Sequence, residues 1–207
     1  MTVETTSIDS DHQAVLQQVA TAYRNHHRDR PQPKLVVDAL LQAEKAAKQQ
    51  RLSYSFDQLI GLWQLCFSTG TRKLKQRGGI ALGKGFYLPQ LTPAFIGFRA
   101  SDSPANPLEI TNQIQVSGLK LKLTGPARYL DKKNLLAFDF TQMQISALGR
   151  PLYTGNFRSG KAKTEAFADQ PIAKLPFFAF FLVTDELIAA RGRGGGLAIW
   201  IRSSTSA

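Results

Sequence analysis

The stretch Leu108-Glu-Ile-Thr-Asn-Gln-Ile-Gln-Val116, followed by Ser117-Gly118 and Leu119-Lys-Leu-Lys-Leu-Thr124, decides how this chain folds. Leu108, Ile110, Ile114 and Val116 fall on alternate positions, with Glu109, Thr111, Gln113 and Gln115 between them. A period of two places successive side chains on opposite faces of an extended strand, so one face is apolar and the other polar. Leu119, Leu121 and Leu123 repeat the pattern beyond the Ser-Gly pair, and the two segments read as a β-hairpin with a tight turn. The seven apolar residues are expected to share one face and to line a common interior.

Further strands are expected at 60–68, 94–99, 126–130, 135–145, 152–157, 177–183, 186–190 and 196–202. Gly, Pro and Asn separate them and leave almost no room for helices, so the pattern predicts an antiparallel meander closing into a barrel. Only 161–170 could hold a helical turn or a long loop. Before residue 58 the period is helical. Val15, Leu16, Val19, Ala22 and Tyr23 form one stripe, with Ser10 or Asp11 as cap, and Val36, Val37, Leu40, Leu41 and Ala47 form a second. Arg30-Pro31-Gln32-Pro33 separates the two helices. The expected organisation is a disordered 1–10, a helical 11–57 and a barrel over 58–207.

A chain of 207 residues that is 43% hydrophobic can bury a core without disulfides or a structural metal. Cys66 is the only cysteine and forms no internal disulfide. His12, His26 and His27 lack the spacing of a metal-ligand set, so no metal or cofactor is expected. The longest apolar run, Phe177 to Val183, is far short of the ~20 residues of a membrane span. The acidic N-terminus has no apolar signal region, which predicts a protein that is not secreted and is either cytoplasmic or peripheral on a membrane.

Charge divides the chain. Residues 1–57 carry seven basic and seven acidic side chains, whereas 58–207 carry nineteen and eight, the whole of the +11 excess. Such a surface attracts polyanions. Arg72, Lys73, Lys75, Arg77 and Lys84 come without an intervening acid, as do Arg150, Arg158, Lys161 and Lys163. These are expected to rim the barrel mouth and to meet anionic lipid headgroups at ~1 kcal/mol each.

Two motif matches are set aside. Gly155-Asn-Phe-Arg-Ser-Gly160-Lys161 fits the phosphate-loop spacing, but Ala162 replaces the magnesium-binding hydroxyl and the flanking pattern is antiparallel β. Arg191-Gly-Arg-Gly-Gly-Gly196 lies between two apolar runs with no helix following, so it reads as a hairpin turn and not as a dinucleotide cradle. Aromatic residues are not interleaved with the basic ones as stacking platforms, which argues against nucleic acid as a partner. The barrel part contains no histidine and no nucleophile motif, and among its acids only Asp139, between Phe138 and Phe140, sits in an unusual context.

Leu59-Ile-Gly61-Leu-Trp63-Gln-Leu65-Cys-Phe67-Ser-Thr69 resembles the opening strand of the plastid lipid-associated protein family, also called fibrillins or plastoglobulins, which has the form L-x-G-x-W-x-L-x-Y-T. Glu186-Leu-Ile-Ala-Ala-Arg191-Gly-Arg-Gly-Gly-Gly-Leu197-Ala-Ile199 is similar to that family's closing D-L-R-I-S-R-G-x-G-G-x-L-F-V. Phe67 stands for the Tyr, Ile188 for the first Arg and Arg193 for a common acid; without a transit peptide the chain looks more like a cyanobacterial member than a plant one. The resemblance covers roughly residues 12–202. It implies a lipocalin-like barrel of a photosynthetic organism, located at thylakoid membranes or lipid globules. It also implies non-enzymatic binding of apolar small molecules such as prenylquinones, carotenoids or fatty acids; the alternative is a lipocalin-fold enzyme or lyase acting on a pigment or lipid precursor. In such barrels Gly61 and Trp63 would close the base beneath an arginine of the last strands, Arg191 or Arg202. The N-terminal helices could dock a protein partner. A drug-sized internal void of ~300 Å³ or more is expected for the ligand.

Overall fold

A computed structural model describes residues 4–73, 80–103, 106–157 and 167–203. Two long helices, α1 (Glu4–Arg24) and α2 (Pro33–Gln50), precede a short α3 (Phe56–Leu59) and thirteen strands. The strands are β1 (Gly61–Ser68), β2 (Thr71–Lys73), β3 (Ile80–Leu82), β4 (Phe86–Tyr87), β5 (Ala94–Ala100), β6 (Leu108–Val116) and β7 (Leu119–Leu130). They continue as β8 (Leu135–Phe138), β9 (Gln142–Ala147), β10 (Arg150–Asn156), β11 (Phe177–Val183), β12 (Leu187–Gly192) and β13 (Leu197–Arg202).

The expected barrel is present, mainly β and antiparallel, behind two N-terminal helices. Its eight staves run β7-β6-β5-β1-β13-β12-β11-β8, and the β7–β8 pairing closes the ring. The boundaries differ in three places. The helix expected from residue 11 begins at Glu4, so most of the stretch expected to be disordered is helical; nothing between Glu4 and Asp11 is a Gly or Pro that would stop it. The strands expected at 119–124 and 126–130 are one, β7, which runs straight through Gly125-Pro126. The strand expected over 135–145 is broken into β8 and β9 at Asp139. A Cβ on Gly125 would stand 1.9 Å from the Asp139 carbonyl oxygen, so the break can press against β7 only because residue 125 is glycine.

The helices cover one outer side of the barrel. Leu16, Val19, Tyr23, Val36 and Leu40 are buried against Phe67, Ile199, Ile201, Leu187 and Phe181 on the outward face of β1, β13, β12 and β11. Those strands are therefore covered on both faces, which is why Phe177 to Val183 reads as a continuous apolar run. The opposite wall, β5 to β7, is bare outside and alternates; Arg99 and Glu109 pair there at 2.6 Å. At the Pro-rich elbow, Arg30 lies 4.9 Å from the Tyr23 ring centre and 5.3 Å from that of Tyr87, and Tyr87 donates a hydrogen bond to the Pro31 carbonyl. Apart from Leu41, which is exposed on α2, the apolar stripes expected on the two helices are occupied by the barrel wall, so any protein partner must meet their outward faces.

β6 and β7 are longer than the barrel is tall. At ~3.3 Å per residue a twelve-residue strand spans about 40 Å, whereas the six or seven residues of β13, β5 and β11 span only half of that. Beyond the rim, β6 and the first half of β7 continue with β9 and β10 as a four-stranded flap: Leu121 pairs with Ile145, and Ile145 with Tyr153. Among the described residues β10 pairs only with β9, and Pro151 with the adjacent register shift blunts that edge.

Candidate functional site, the open end of the barrel

One end of the barrel is shut. Trp63 is fully buried and its indole nitrogen donates to the Leu59 carbonyl at 2.7 Å, which ties the α3 plug to β1. Arg202, the direct cross-strand partner of Trp63, lies over the indole at 4.0 Å. It also donates to the carbonyls of Asp185 and Ile60. Gly61 has φ +132°, so a larger residue there would strain the backbone, and its Cβ would also have to push aside the Arg202 guanidinium, which stands 2.8 Å from that position. Of the two arginines expected over Trp63, Arg191 is elsewhere. Alternation turns it outward from β12, where it donates to both carboxylate oxygens of Glu44 on α2 and to the Gly195 carbonyl. The Arg191 guanidinium, with Lys48 beside it, holds the Glu44 carboxyl below the usual carboxylate range. The Gly-rich segment after Arg191 is the β12–β13 hairpin turn, with Gly195 donating to the Gly192 carbonyl.

Above this plug, aromatic residues fill the interior. Phe98 meets Phe180 edge-on at 5.9 Å, Phe138 stacks on Phe178 at 5.1 Å, and Phe178 meets Trp200 edge-on at 5.4 Å. Among the described residues the expected internal void of ~300 Å³ or more is therefore corrected to a smaller one that opens at one end of the barrel. What remains is a cavity of about 270 Å³ at the open end, lined by Leu65, Ile96, Phe178, Ala198, Trp200 and neighbours from β1, β5, β6 and β11 to β13.

None of the seven hairpin residues expected to line the interior is among the cavity-lining residues. Register shows why. Ile110 pairs with Phe98 and is buried inside, and Leu108 is half-buried toward the plug. Ile114, Val116 and Leu119 share the same face but lie past the rim, where they are 44%, 45% and 49% exposed. Leu121 and Leu123 are half-buried on the flap. The alternation sorted all seven onto the barrel-facing side; it carries no information about where the barrel ends.

The flap is consequently an open apolar shelf that extends the cavity wall. Ile114 pairs with Ala94, a cavity-lining residue, and Leu123 pairs with Asn112, another. Leu148, at 87% exposure, packs its side chain against Gly118 and joins the two hairpin tips. Leu152 and Tyr153 are exposed beside it. Of the large hydrophobic residues exposed among the described ones, half belong to this flap, which marks it out from a normally scattered apolar surface. From Ile110 to Thr124 and from Gln142 to Phe157 the sequence has no acid, and it carries Lys120, Lys122 and Arg150.

The basic rim is placed only in part. Arg72 and Lys73 belong to β2, which leaves the barrel at its open end after Ser68, and Lys84 and Arg150 are exposed. Lys75, Arg77, Arg158, Lys161 and Lys163 lie outside the described residues, as does most of the phosphate-loop match. Of that match, Gly155 sits in antiparallel β10, and the Tyr153 ring occupies the space a Cβ there would need. Cys66 is buried on the helix side, and burial pushes its thiol up to about 12, which leaves it unreactive at neutral pH. Asp139 accepts a hydrogen bond from the Phe140 backbone amide at the β8–β9 break. Among the described residues no group of three or more His, Cys, Asp or Glu could hold a metal ion.

Asn112 is the functional candidate the alternation passed over. It is the one polar residue at an apolar position of β6, between Ile110 and Ile114, and it faces the cavity opposite Ile96. The break in the pattern was visible in sequence. Only the register reveals that it coincides with the barrel mouth.

Comparison of the chain with family models, curated proteins and solved structures returns no match.

Proposed function

We propose that the protein binds apolar small molecules, without chemically changing them, at the surface of a membrane or lipid globule. The observation that carries this reading is the continuity between the open-end cavity and the exposed flap. An apolar pocket that opens onto solvent through an apolar, acid-free shelf is poorly suited to water and well suited to a lipid boundary. The +11 charge, confined to the barrel part, favours an anionic headgroup layer. The resemblance of the Gly61–Trp63 and Arg191–Gly196 segments to the plastid lipid-associated family supports the same reading and adds prenylquinones, carotenoids and fatty acids as ligand classes and the thylakoid membrane as a location.

Organic extraction of the protein purified from its native host, followed by mass spectrometry, tests the proposal. The expected result is an apolar compound recovered in stoichiometric proportion and depleted from extracts of a variant with the shelf made polar. Recovery of none, or equal recovery from both, counts against it.

A further inference from the structure

We infer that the cavity selects uncharged ligands carrying one hydrogen-bonding oxygen, and that the Asn112 side chain recognises that oxygen. This deepens the proposed function and rests on it. Three features of the open end lead there. First, Asn112 is the only amide side chain among the described cavity-lining residues, and none of the others is charged. Second, its amide has no hydrogen-bond partner among the described residues, and it is not sealed away from solvent; its atoms are left open to the cavity. An amide in an apolar wall is costly to dehydrate unless an incoming group replaces the water. Third, its neighbours on the same face are hydrocarbon: Ile96 and Leu123 pair with it across the sheet, and Ile110 and Ile114 flank it along β6.

A ligand oxygen placed at Asn112 satisfies the amide while the rest of the molecule touches only apolar surface. At about 270 Å³ the cavity holds a head group and the first part of a chain. A longer tail would then lie along the shelf past Ile114, Leu121 and Ile145. A carboxylate is disfavoured, because the described lining offers no cation to pair with it and an unpaired charge loses far more hydration than a neutral carbonyl does. Ketones, esters and alcohols are therefore the class the site takes, and of the ligand classes that the resemblance implies, ionised fatty acids are the one it rejects.

The test is displacement of the neutral fluorophore N-phenyl-1-naphthylamine from the full chain by three matched twelve-carbon probes at pH 8.5: 2-dodecanone, dodecane and laurate. Wild type should bind the ketone about tenfold or more tighter than laurate. Asn112→Leu and Asn112→Ala both remove the amide while changing the volume in different degree. Each should weaken the ketone about tenfold and leave dodecane within about twofold. Unchanged ketone affinity in both variants, or tighter binding of laurate than of the ketone, overturns the inference and leaves apolar binding standing. If neither the fluorophore nor any of the three probes binds, the proposed function falls with it.

Discussion

At the residue scale the plug and the latch are separate devices built from the two arginines of the closing strands. Trp63 lies under Arg202 with its indole nitrogen bound to α3, so truncating it removes both a large buried ring and the anchor of the plug. Trp63→Ala should cost ~3–5 kcal/mol in chemical denaturation; a change below 1 kcal/mol would show that the plug holds without it. Arg191 and Glu44 fasten α2 to β12 instead. Because the Arg191 hydrogen bonds depress the Glu44 carboxyl in the folded chain, the pair's contribution is complete above the ordinary glutamate range. It is lost as pH falls through the depressed folded value. Arg191→Ala should therefore destabilise at pH 7 and lessen the fall in stability below pH 5, as read from melting temperatures across that range; an acid limb parallel to that of wild type would contradict the linkage. That an arginine would sit over Trp63 was legible from the resemblance. Which arginine was decided by strand parity, because Ala190 and Trp200 face inward, turning Arg191 out and Arg202 in.

At the element scale the informative feature is a mismatch of lengths. The period-two pattern of Leu108–Val116 and Leu119–Leu123 correctly assigns faces, since parity is local. Whether a face is buried depends on how tall the neighbouring strands are, and that follows from β5, β11 and β13, far away in sequence. The break of the 135–145 segment at Asp139 is likewise a contact with Gly125 and left no local mark beyond the aromatic flanks. The shelf so formed should behave as a docking surface and not as core. Leu119→Ser together with Leu148→Ser should leave the melting temperature nearly unchanged, within about 0.5 kcal/mol, because both positions are largely exposed. The same pair should lower binding to anionic lipid vesicles about tenfold or more, since each leucine withdrawn from a hydrocarbon boundary forfeits up to ~1.5–3 kcal/mol. Sedimentation with vesicles reads this directly. Loss of stability with undiminished vesicle binding would reverse the assignment.

At the scale of the whole molecule, neutral helices on one wall and a basic barrel open at one end give the protein a direction. β2 leaves the barrel at its open end with Arg72 and Lys73, and Arg150 starts β10 at the tip of the flap, opposite Ala147, so these cations lie at the same end of the molecule as the shelf. Attraction to an anionic surface should thus combine with apolar contact, and salt separates the two, since exposed charges are screened beyond ~10 Å at 0.1 M. Changing Arg72, Lys73, Lys75 and Arg77 to Ser should weaken vesicle binding at low salt and make it less salt-dependent; equal binding to neutral vesicles at high salt would assign the anchoring to the shelf alone. The fold class was legible because alternation, turn residues and the change of period at residue 58 agree. The doubly covered strands announced themselves as uninterrupted apolar runs. The cavity was not legible, because its walls come from six strands and its floor from Phe178, which stacks on Phe138 and meets Trp200 edge-on. Photolabelling with a diazirine-bearing twelve-carbon ketone, with adducts mapped by mass spectrometry, reads whether this open end takes an apolar ligand. Ligand binding at the open end should give saturable labelling confined to 94–96, 112–123, 143–153 and 198–200, competed by unlabelled ketone; labelling concentrated on α1 and α2, or spread evenly and not competed, would rule it out.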